Sequence, residues 1–224
     1  MATDAARIAL FPLSNVVLFP RVKTPLHIFE PRYRQMMRDV LASGEERRIG
    51  MVVVRAEHQD AMAGDPPVYP IGCCGEITEF QQRPDGRFDL VLHGIWRFRI
   101  VEEEARPADR LYRRALVQPL DDAFPEGERD RVARLRANVV ENVAYLARRT
   151  EAEGSRFDPS LFAGIDDATF VNVLANAIAF PVEEKQSLLE AESIPERYAR
   201  LAGTLSFRRA ELEMTSAGAR GPLH

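Results

Sequence analysis

The chain contains 224 residues, of which 46% are hydrophobic and 29% are charged. That balance is typical of globular proteins and excludes extensive disorder. The formal net charge is −4, and Arg alternates with Asp and Glu along residues 126–136. The sequence therefore offers no basic field of the kind that binds nucleic acid.

Signals for export, disulfide bonding and membrane insertion are missing from the sequence. The N-terminus lacks the basic segment and apolar run of a secretion signal, and no stretch reaches the roughly 18 consecutive apolar residues of a membrane span. Cys73 and Cys74 are adjacent and do not form the spaced framework of a secreted disulfide-rich domain. We therefore expect a water-soluble, cytoplasmic protein.

The first half of the chain is predicted to be mainly β-structure interrupted by prolines. Short apolar runs at residues 8–13 and 16–19 are bounded by prolines, which favours buried or edge strands over helix. One helix follows Pro31, because apolar residues recur at helical spacing before the stop at Ser43 and Gly44. The members of this apolar stripe are Tyr33, Met36, Met37, Val40 and Leu41.

Strands are predicted again at residues 49–55, 69–81 and 112–118, with a hairpin turn at residues 83–86. Pro and Gly in that turn pre-set the backbone angles that a tight turn requires. After the turn, strict alternation indicates a half-buried strand. Its apolar positions are Phe88, Leu90, Leu92, Trp96, Phe98 and Ile100, and Arg97 and Arg99 alternate with the last three.

From about residue 126 the apolar period changes from 2 to 3.6, which indicates helices. Predicted helix starts include Asp166 and Asp167, which can cap, and the capping-box sequence from Ser193 to Glu196. A β-rich half followed by a helical half predicts an α+β fold. The predicted domains are residues 1–122 (β-rich) and 123–214 (helical), followed by a flexible tail at 215–224.

Sequence patterns for catalysis and for cofactor binding are absent. No two of the four histidines lie at zinc-ligand spacing, and Cys73 and Cys74, as neighbours on a strand, point to opposite faces. The motifs G-x-S-x-G, G-x-x-x-x-G-K-[ST] and G-x-G-x-x-G do not occur. The sequence therefore predicts no catalytic residues, no metal and no cofactor.

Five segments, in order and spanning most of the chain, carry a resemblance to a known family. They are residues 10–20, 24–30, 69–77, 84–100 and 185–190, the last accompanied by Arg197. Together they resemble the N-terminal substrate-binding domain of Lon proteases and its stand-alone bacterial relatives. The resemblance implies a PUA-like β pseudo-barrel followed by a helical subdomain, and it implies recognition of unfolded or degron-bearing polypeptides.

Lon proteases continue beyond this domain into an ATPase module and a protease module with a Ser-Lys dyad. The two lysines of this chain, Lys23 and Lys185, lie in segments that do not resemble that dyad. We therefore expect a non-enzymatic protein, and any peptidase activity assigned to it would be by homology only.

The leading hypothesis is a module that binds unfolded or degron-bearing proteins, with a protease or a chaperone as a candidate recipient. Its contact residues would be apolar side chains between Pro20 and Pro31, although each of these side chains could instead pack in the core. These candidates are Val22, Leu26, Ile28 and Phe29.

Two alternatives remain open on the sequence alone. One is RNA binding through the PUA-like fold, which would need a local basic cleft despite the negative net charge. Its candidate residues are Arg97, Arg99, Arg113 and Arg114. The other is a small-molecule pocket in the sheet, close to Cys73, Cys74, His93 and Trp96. The oligomeric state is not predicted by any of these patterns.

Overall fold

The computed structural model describes residues 5–44, 46–62, 64–149, 162 and 164–218, and within them the chain is α+β. The strands of this part are β1 (Ala6–Leu13), β2 (Lys23–Ile28), β3 (Arg48–Val53), β4 (Ile71–Gln82), β5 (Phe88–Glu103) and β6 (Arg114–Leu120). Its helices are α1 (Pro31–Ala42), α2 (Arg129–Arg149), α3 (Asp167–Ala177), α4 (Val182–Glu190) and α5 (Ile194–Gly218). The predicted fold class is confirmed.

Five of the strands close into a barrel. The sheet order is β2-β5-β4-β3-β1-β6, and β6 pairs with β5 as well as with β1. Among the pairs formed by these six described strands, only that of β1 and β3 is parallel. Closure removes the unpaired edges that an open sheet presents to solvent. The barrel core consists of Ile8, Leu10, Val52, Cys74, Phe98, Ala115 and Val117.

The long strand β5 takes part in two arrangements that meet at Gly94. Residues 88–93 pair with β2, whereas residues 97–103 pair with β6. Opposite β4, the register shifts because Cys74 pairs with Trp96 and Gly75 pairs with Gly94, which leaves Ile95 as an extra residue. Such a bulge bends the strand and increases its local twist. The bend at Gly94 therefore lets one half of β5 pair with β2 outside the barrel while the other half forms part of the barrel.

The prediction of a strand at residues 16–19 is wrong, because this buried segment joins no ladder of the sheet. It crosses β5 at Gly94, whose added Cβ would lie 2.1 Å from the carbonyl oxygen of Phe19. The Arg21 amide donates to the Gly94 carbonyl at 2.7 Å, and the Gly94 amide donates to the Val22 carbonyl at 2.9 Å. Pro20 follows the segment and has no amide hydrogen to continue a ladder.

Local signals are confirmed at several element boundaries. The predicted hairpin turn forms, with the Arg83 amide donating to the Arg87 carbonyl at 2.8 Å and Gly86 at φ 81°. The Asp166 carboxylate accepts from the Thr169 amide at 3.1 Å, which caps α3. At α5, the Ser193 hydroxyl accepts from the Glu196 amide at 3.3 Å.

The chain divides into two compact units. Unit 1 comprises Met1–Asp122 and Asn172–Glu190, and unit 2 comprises Ala123–Val171 and Ala191–His224. The division falls inside α3, so unit 1 contains α4 as well as the whole sheet. Within unit 1, the Gln186 side chain of α4 donates to the Ile71 carbonyl of β4 at 3.0 Å. The domain boundaries expected from the sequence stay a prediction.

Unit 2 contains the pair of long helices α2 and α5, which pack against each other. The Tyr198 hydroxyl of α5 donates to the Asp167 carbonyl at 3.1 Å, and the Phe170 and Tyr198 rings stack at 6.3 Å. α5 extends to Gly218, so residues 215–218 of the predicted flexible tail are helical. Residues 219–224 of that tail lie outside the described residues.

Candidate functional site

The structure separates the four predicted binding residues into core and surface. Val22 and Ile28 are buried, with 6% and 1% of their surface exposed. Leu26 is half-buried, whereas Phe29 is 60% exposed. The alternation of β2 explains the division, because Thr24, Leu26 and Ile28 face the interior side while Lys23, Pro25 and His27 face solvent. Applying strand alternation to residues 23–28 would have shown that Ile28 belongs to the core.

The accessible part of this region is an open three-stranded sheet, which we call the β2 leaf. It consists of β2, residues 88–93 of β5 and residues 77–82 of β4, all within unit 1. β2 pairs with β5 on one side and ends the strand order, so among the described residues its other side has no strand partner and forms a free edge. An edge strand presents backbone N–H and C=O groups that can pair with another extended chain.

A shallow groove of about 510 Å³ runs over the β2 leaf, and we call it the leaf groove. Its apolar lining includes Pro25, Leu26, Phe80 and Val91. Phe80 is 41% exposed, and the Arg47 guanidinium lies 5.4 Å from its ring centroid. Sequence patterning did not single out Phe80. Its position between the polar residues Glu79 and Gln81 is the alternation signal that identifies it.

The polar side of the leaf groove contains a carboxylate held by a histidine and an arginine. The Nδ1 atom of His27 lies 2.6 Å from Oδ1 of Asp89, and the Nε atom of Arg83 donates to Oδ2 of Asp89 at 2.6 Å. The hydrogen bond from Arg83, followed by that from His27, lowers the pKa of Asp89. Next to this network, the rings of His27 and Phe29 stack at 6.1 Å. The groove therefore combines apolar surface with fixed polar contacts, and it contains no activated nucleophile.

The four arginines suggested for RNA binding do not form a basic cleft. Arg97 is only 2% exposed, and its Nε atom donates to the Asp122 carboxylate at 2.7 Å. The Arg113 Nε atom donates to Glu103 at 2.7 Å, and Arg114 lies 3.8 Å from Glu104. Arg97 and Arg113 are thus each paired with a carboxylate, Arg114 lies near one, and Arg99 is the exposed member of the set.

A second cavity, which we call the Trp96 cleft, lies at the end of the barrel where β1 and β3 begin. It has a volume of about 560 Å³ and is lined by Cys74 and Trp96, two of the residues predicted for a sheet pocket. Cys73 and His93 do not line it. Burial raises the pKa of Cys74 to about 12, so its thiol stays protonated and is not a nucleophile at neutral pH.

The described ranges contain neither a metal-binding cluster nor a membrane-spanning helix. No group of three or more His, Cys, Asp or Glu side chains in those ranges is arranged to hold a metal ion. Among the helices of the same ranges, none is both long and apolar enough to cross a membrane.

The chain matches one family model over most of its length. The model is described as the ATP-dependent protease La (LON) substrate-binding domain, and it matches residues 7–206. The region of similarity is therefore the N-terminal substrate-binding domain of Lon proteases and not their ATPase or protease domain.

Curated relatives include several bacterial Lon proteases. The Lon protease of Brucella suis biovar 1 is 26% identical over 211 residues, which are 92% of this chain and 24% of that protein. The Lon protease of Anaeromyxobacter dehalogenans is 25% identical over 219 residues, which are 94% of this chain and 24% of that protein. This chain spans about a quarter of the length of these relatives.

Two solved structures share the fold. The Lon N-terminal domain protein from Xanthomonas campestris has a TM-score of 0.59 at 22% identity, covering 88% of this chain and 98% of that chain. The N-terminal domain of the Mycobacterium avium complex Lon protease has a TM-score of 0.63 at 16% identity, covering 90% of this chain and 98% of that chain. At these identities the likeness shows the fold alone.

Proposed function

Because the chain belongs to the family of the ATP-dependent protease La (LON) substrate-binding domain, we propose that it is a non-enzymatic module that binds unfolded or degron-bearing polypeptides. The observation that carries this proposal is the β2 leaf, where a free strand edge lies next to an exposed apolar groove. Of the sequence-predicted residues, Phe29 is exposed directly after β2, and the half-buried Leu26 lines the groove.

The β2 leaf offers two kinds of contact that suit a client of variable sequence. Backbone groups on the free edge of β2 can pair with any extended segment, because every residue except proline carries the same donor and acceptor. The apolar lining of the leaf groove, which includes Leu26, Phe80 and Val91, favours segments with exposed apolar side chains. Unfolded proteins and terminal degrons present such segments, whereas folded proteins bury them.

Binding through these contacts should be weak and insensitive to salt. Ordering a flexible client costs free energy, so we expect micromolar dissociation constants, equivalent to about −8 kcal/mol. Apolar contacts and backbone hydrogen bonds are not screened by ions, whereas binding to nucleic-acid phosphates falls steeply with salt. Salt dependence therefore separates this proposal from the RNA alternative.

The proposal can be tested with a matched pair of phenylalanine variants. Phe29, the residue directly after β2, and Phe207 on α5 are 60% and 65% exposed, so Phe29→Ser and Phe207→Ser remove similar exposed side chains. Phe29→Ser should weaken binding of a fluorescent extended apolar peptide about tenfold, which corresponds to about 1.4 kcal/mol. Phe207→Ser should leave that affinity unchanged. Equal losses in the two variants would contradict a site on the β2 leaf.

Pairing of a client with the edge of β2 can be tested by modifying the client peptide. N-methylation of alternate client residues blocks their hydrogen-bond donors without removing apolar side chains. Two peptides methylated in opposite phases should differ in affinity, because only alternate residues of an added strand face β2. Equal affinity of both methylated peptides and the parent would exclude strand addition.

Enzymatic activity and the binding of unfolded proteins require separate measurements. Purified protein should slow aggregation of a destabilised client without ATP, and it should neither hydrolyse ATP nor cleave casein. Cleavage that co-purifies with the chain and disappears with one Ser, Cys or His substitution would contradict the non-enzymatic proposal. Failure to suppress aggregation, combined with tight and salt-sensitive RNA binding, would favour the RNA alternative.

A further inference from the structure

We propose that the Trp96 cleft binds an apolar ligand that carries a single carboxylate. The cleft lies within unit 1 and shares no lining residue with the leaf groove. The inference therefore stands apart from the proposed binding of extended polypeptides at the β2 leaf. It rests on the volume of the cleft, its apolar lining and the charges around it.

The volume and lining of the Trp96 cleft suit a compact apolar group. At about 560 Å³, the cleft is within the roughly 300–1,000 Å³ that is usual for small-ligand sites, and barrel mouths are common places for them. Ile8 and Cys74 of the barrel core form part of its lining, and Val40 of α1 adds further apolar surface. Trp96 is only partly buried against the same core, so its indole can contact a ligand.

The charged side chains that line the cleft among the described residues leave a small positive excess. Three arginines line it, namely Arg7, Arg48 and Arg114, against the two carboxylates of Asp39 and Glu46. The nearby Glu104 does not offset each cation separately, because it is shared. Its carboxylate lies 3.1 Å from Arg7, 3.2 Å from Arg110 and 3.8 Å from Arg114.

The remaining partners in the cleft leave donors available for a ligand. Asp39 is engaged with the hydroxyl of Tyr112, and Glu46 forms an ion pair with Arg48. The Nε atom of Arg48 is nonetheless buried without an acceptor among the described residues, so its guanidinium is incompletely satisfied. A buried donor without a partner costs free energy, and a ligand carboxylate that lets Arg48 reorient would recover part of it.

These features select the class of ligand. An excess of one cation over the lining carboxylates matches a monoanion better than a phosphate with two charges. The guanidinium fork matches a carboxylate, and the indole and aliphatic lining match an apolar or aromatic body. Two sources share this chemistry, namely a free organic acid and the C-terminal residue of a polypeptide.

The chain provides its own probe, because Trp96 is its single tryptophan. We would titrate N-acetyl-phenylalanine and, separately, N-acetyl-phenylalanine amide while recording tryptophan fluorescence. The acid should produce a saturable change, and the amide should bind at least about tenfold more weakly because it lacks the charge. No saturable change with the acid at millimolar concentration, or equal binding of acid and amide, would overturn the proposal.

Variants then assign the interaction to named residues. Arg48→Gln and Arg114→Gln should each weaken binding of the acid several-fold, and unfolding curves would establish that each variant is folded. Arg87→Gln is the matched control, because Arg87 lies just before β5, pairs with Asp85 and does not line the cleft. Wild-type affinity in both folded cleft variants would overturn the assignment.

Peptides distinguish the two sources of the carboxylate. A peptide ending in phenylalanine that binds more tightly as the free acid than as the amide would identify polypeptide C-termini. Binding of N-acetyl-phenylalanine without binding of that peptide would identify small organic acids. Phe29→Ser should leave every Trp96 titration unchanged, so failure at the cleft and failure at the β2 leaf can be told apart.

Discussion

Beyond Gly94, β5 runs in a closed ring of five strands, whereas before Gly94 it belongs to a leaf whose outer strand, β2, pairs on one side only. The closed half uses its backbone hydrogen bonds internally and contains the buried Arg97. The open half leaves a strand edge and the leaf groove accessible. One strand thus belongs both to the closed barrel and to the surface proposed for binding, and substitutions in the two halves should have different consequences.

The largest expected effect is in the closed half, at Arg97. Its guanidinium donates to the Asp122 carboxylate at 2.7 Å and to the carbonyls of Leu189 and Asp121, both at 2.9 Å. Arg97→Met should lower the free energy of unfolding by about 3–5 kcal/mol, because it removes the hydrogen bonds that Arg97 donates to a partly buried carboxylate and two carbonyls. Urea unfolding measures the change.

Arg99→Met is the matched control for Arg97→Met. Arg99 is exposed and lies two residues further along β5, so its replacement should change the free energy of unfolding by less than about 0.5 kcal/mol. Equal effects of the two substitutions would show that the buried contacts of Arg97 contribute no more to stability than an exposed arginine does.

The junction between the two halves should be nearly as sensitive. A Cβ at Gly94 would lie 2.1 Å from the carbonyl oxygen of Phe19, which is backbone and cannot rotate away. Gly94→Ala should therefore cost about 3 kcal/mol of unfolding free energy. At Gly203 in α5, an added Cβ meets nothing within 4 Å, so Gly203→Ala should stabilise by about 1 kcal/mol. The same sign for both substitutions in thermal unfolding would contradict this account.

The sequence predicted features whose cause is local and missed those whose cause lies far along the chain. The 83–86 turn and the Ser193 cap depend on residues within a few positions, and both form as predicted. Alternation grouped Arg97 with the exposed Arg99, but the Leu189 carbonyl that covers Arg97 is 92 residues away. No periodic pattern encodes that contact.

The composition of the candidate site also depends on contacts between distant parts of the chain. Proline punctuation leaves both core packing and partner contact open for Val22, Leu26, Ile28 and Phe29, and strand alternation is what places Ile28 on the interior side of β2. Phe80 reaches the same surface from β4 only because β4 and β2 both pair with β5. That neighbourhood depends on the order of the strands in the sheet, which residue spacing does not reveal.

The open half should show a pH dependence that originates at Asp89. Its pKa lies below the ordinary 3.8 because Arg83 and His27 hydrogen-bond the carboxylate. A carboxyl group whose folded pKa is lowered stabilises the fold above its unfolded pKa, and this contribution is lost as pH falls through the folded pKa. Wild type and Asp89→Asn should therefore differ most in unfolding free energy at neutral pH and converge as the pH falls through the lowered pKa of Asp89. A difference that is constant with pH would contradict the assignment.

The smallest effect is expected in the turn that carries the chain across Gly94. Among the described residues, Arg21 is the one non-glycine with a positive φ, at 65°, and the Val22 amide donates to the Phe19 carbonyl at 3.3 Å. Pro20 and Arg21 thus occupy the central positions of a turn whose third residue is usually glycine. A left-handed conformation costs an L-residue about 1–2 kcal/mol. A glycine at this position would remove that strain, but its greater freedom in the unfolded chain would cost about 0.5–1 kcal/mol.

Arg21→Gly should therefore stabilise the protein by about 0.5 kcal/mol, while Arg21→Val should destabilise it by about 1 kcal/mol because a β-branched residue tolerates this conformation poorly. Urea unfolding of both variants against wild type measures the two changes under identical conditions. Their opposite signs are the informative result, because loss of the arginine side chain is common to both variants and only the backbone preference differs. If Arg21→Gly instead destabilises as much as Arg21→Val, contacts of the arginine side chain outweigh the backbone strain at this turn.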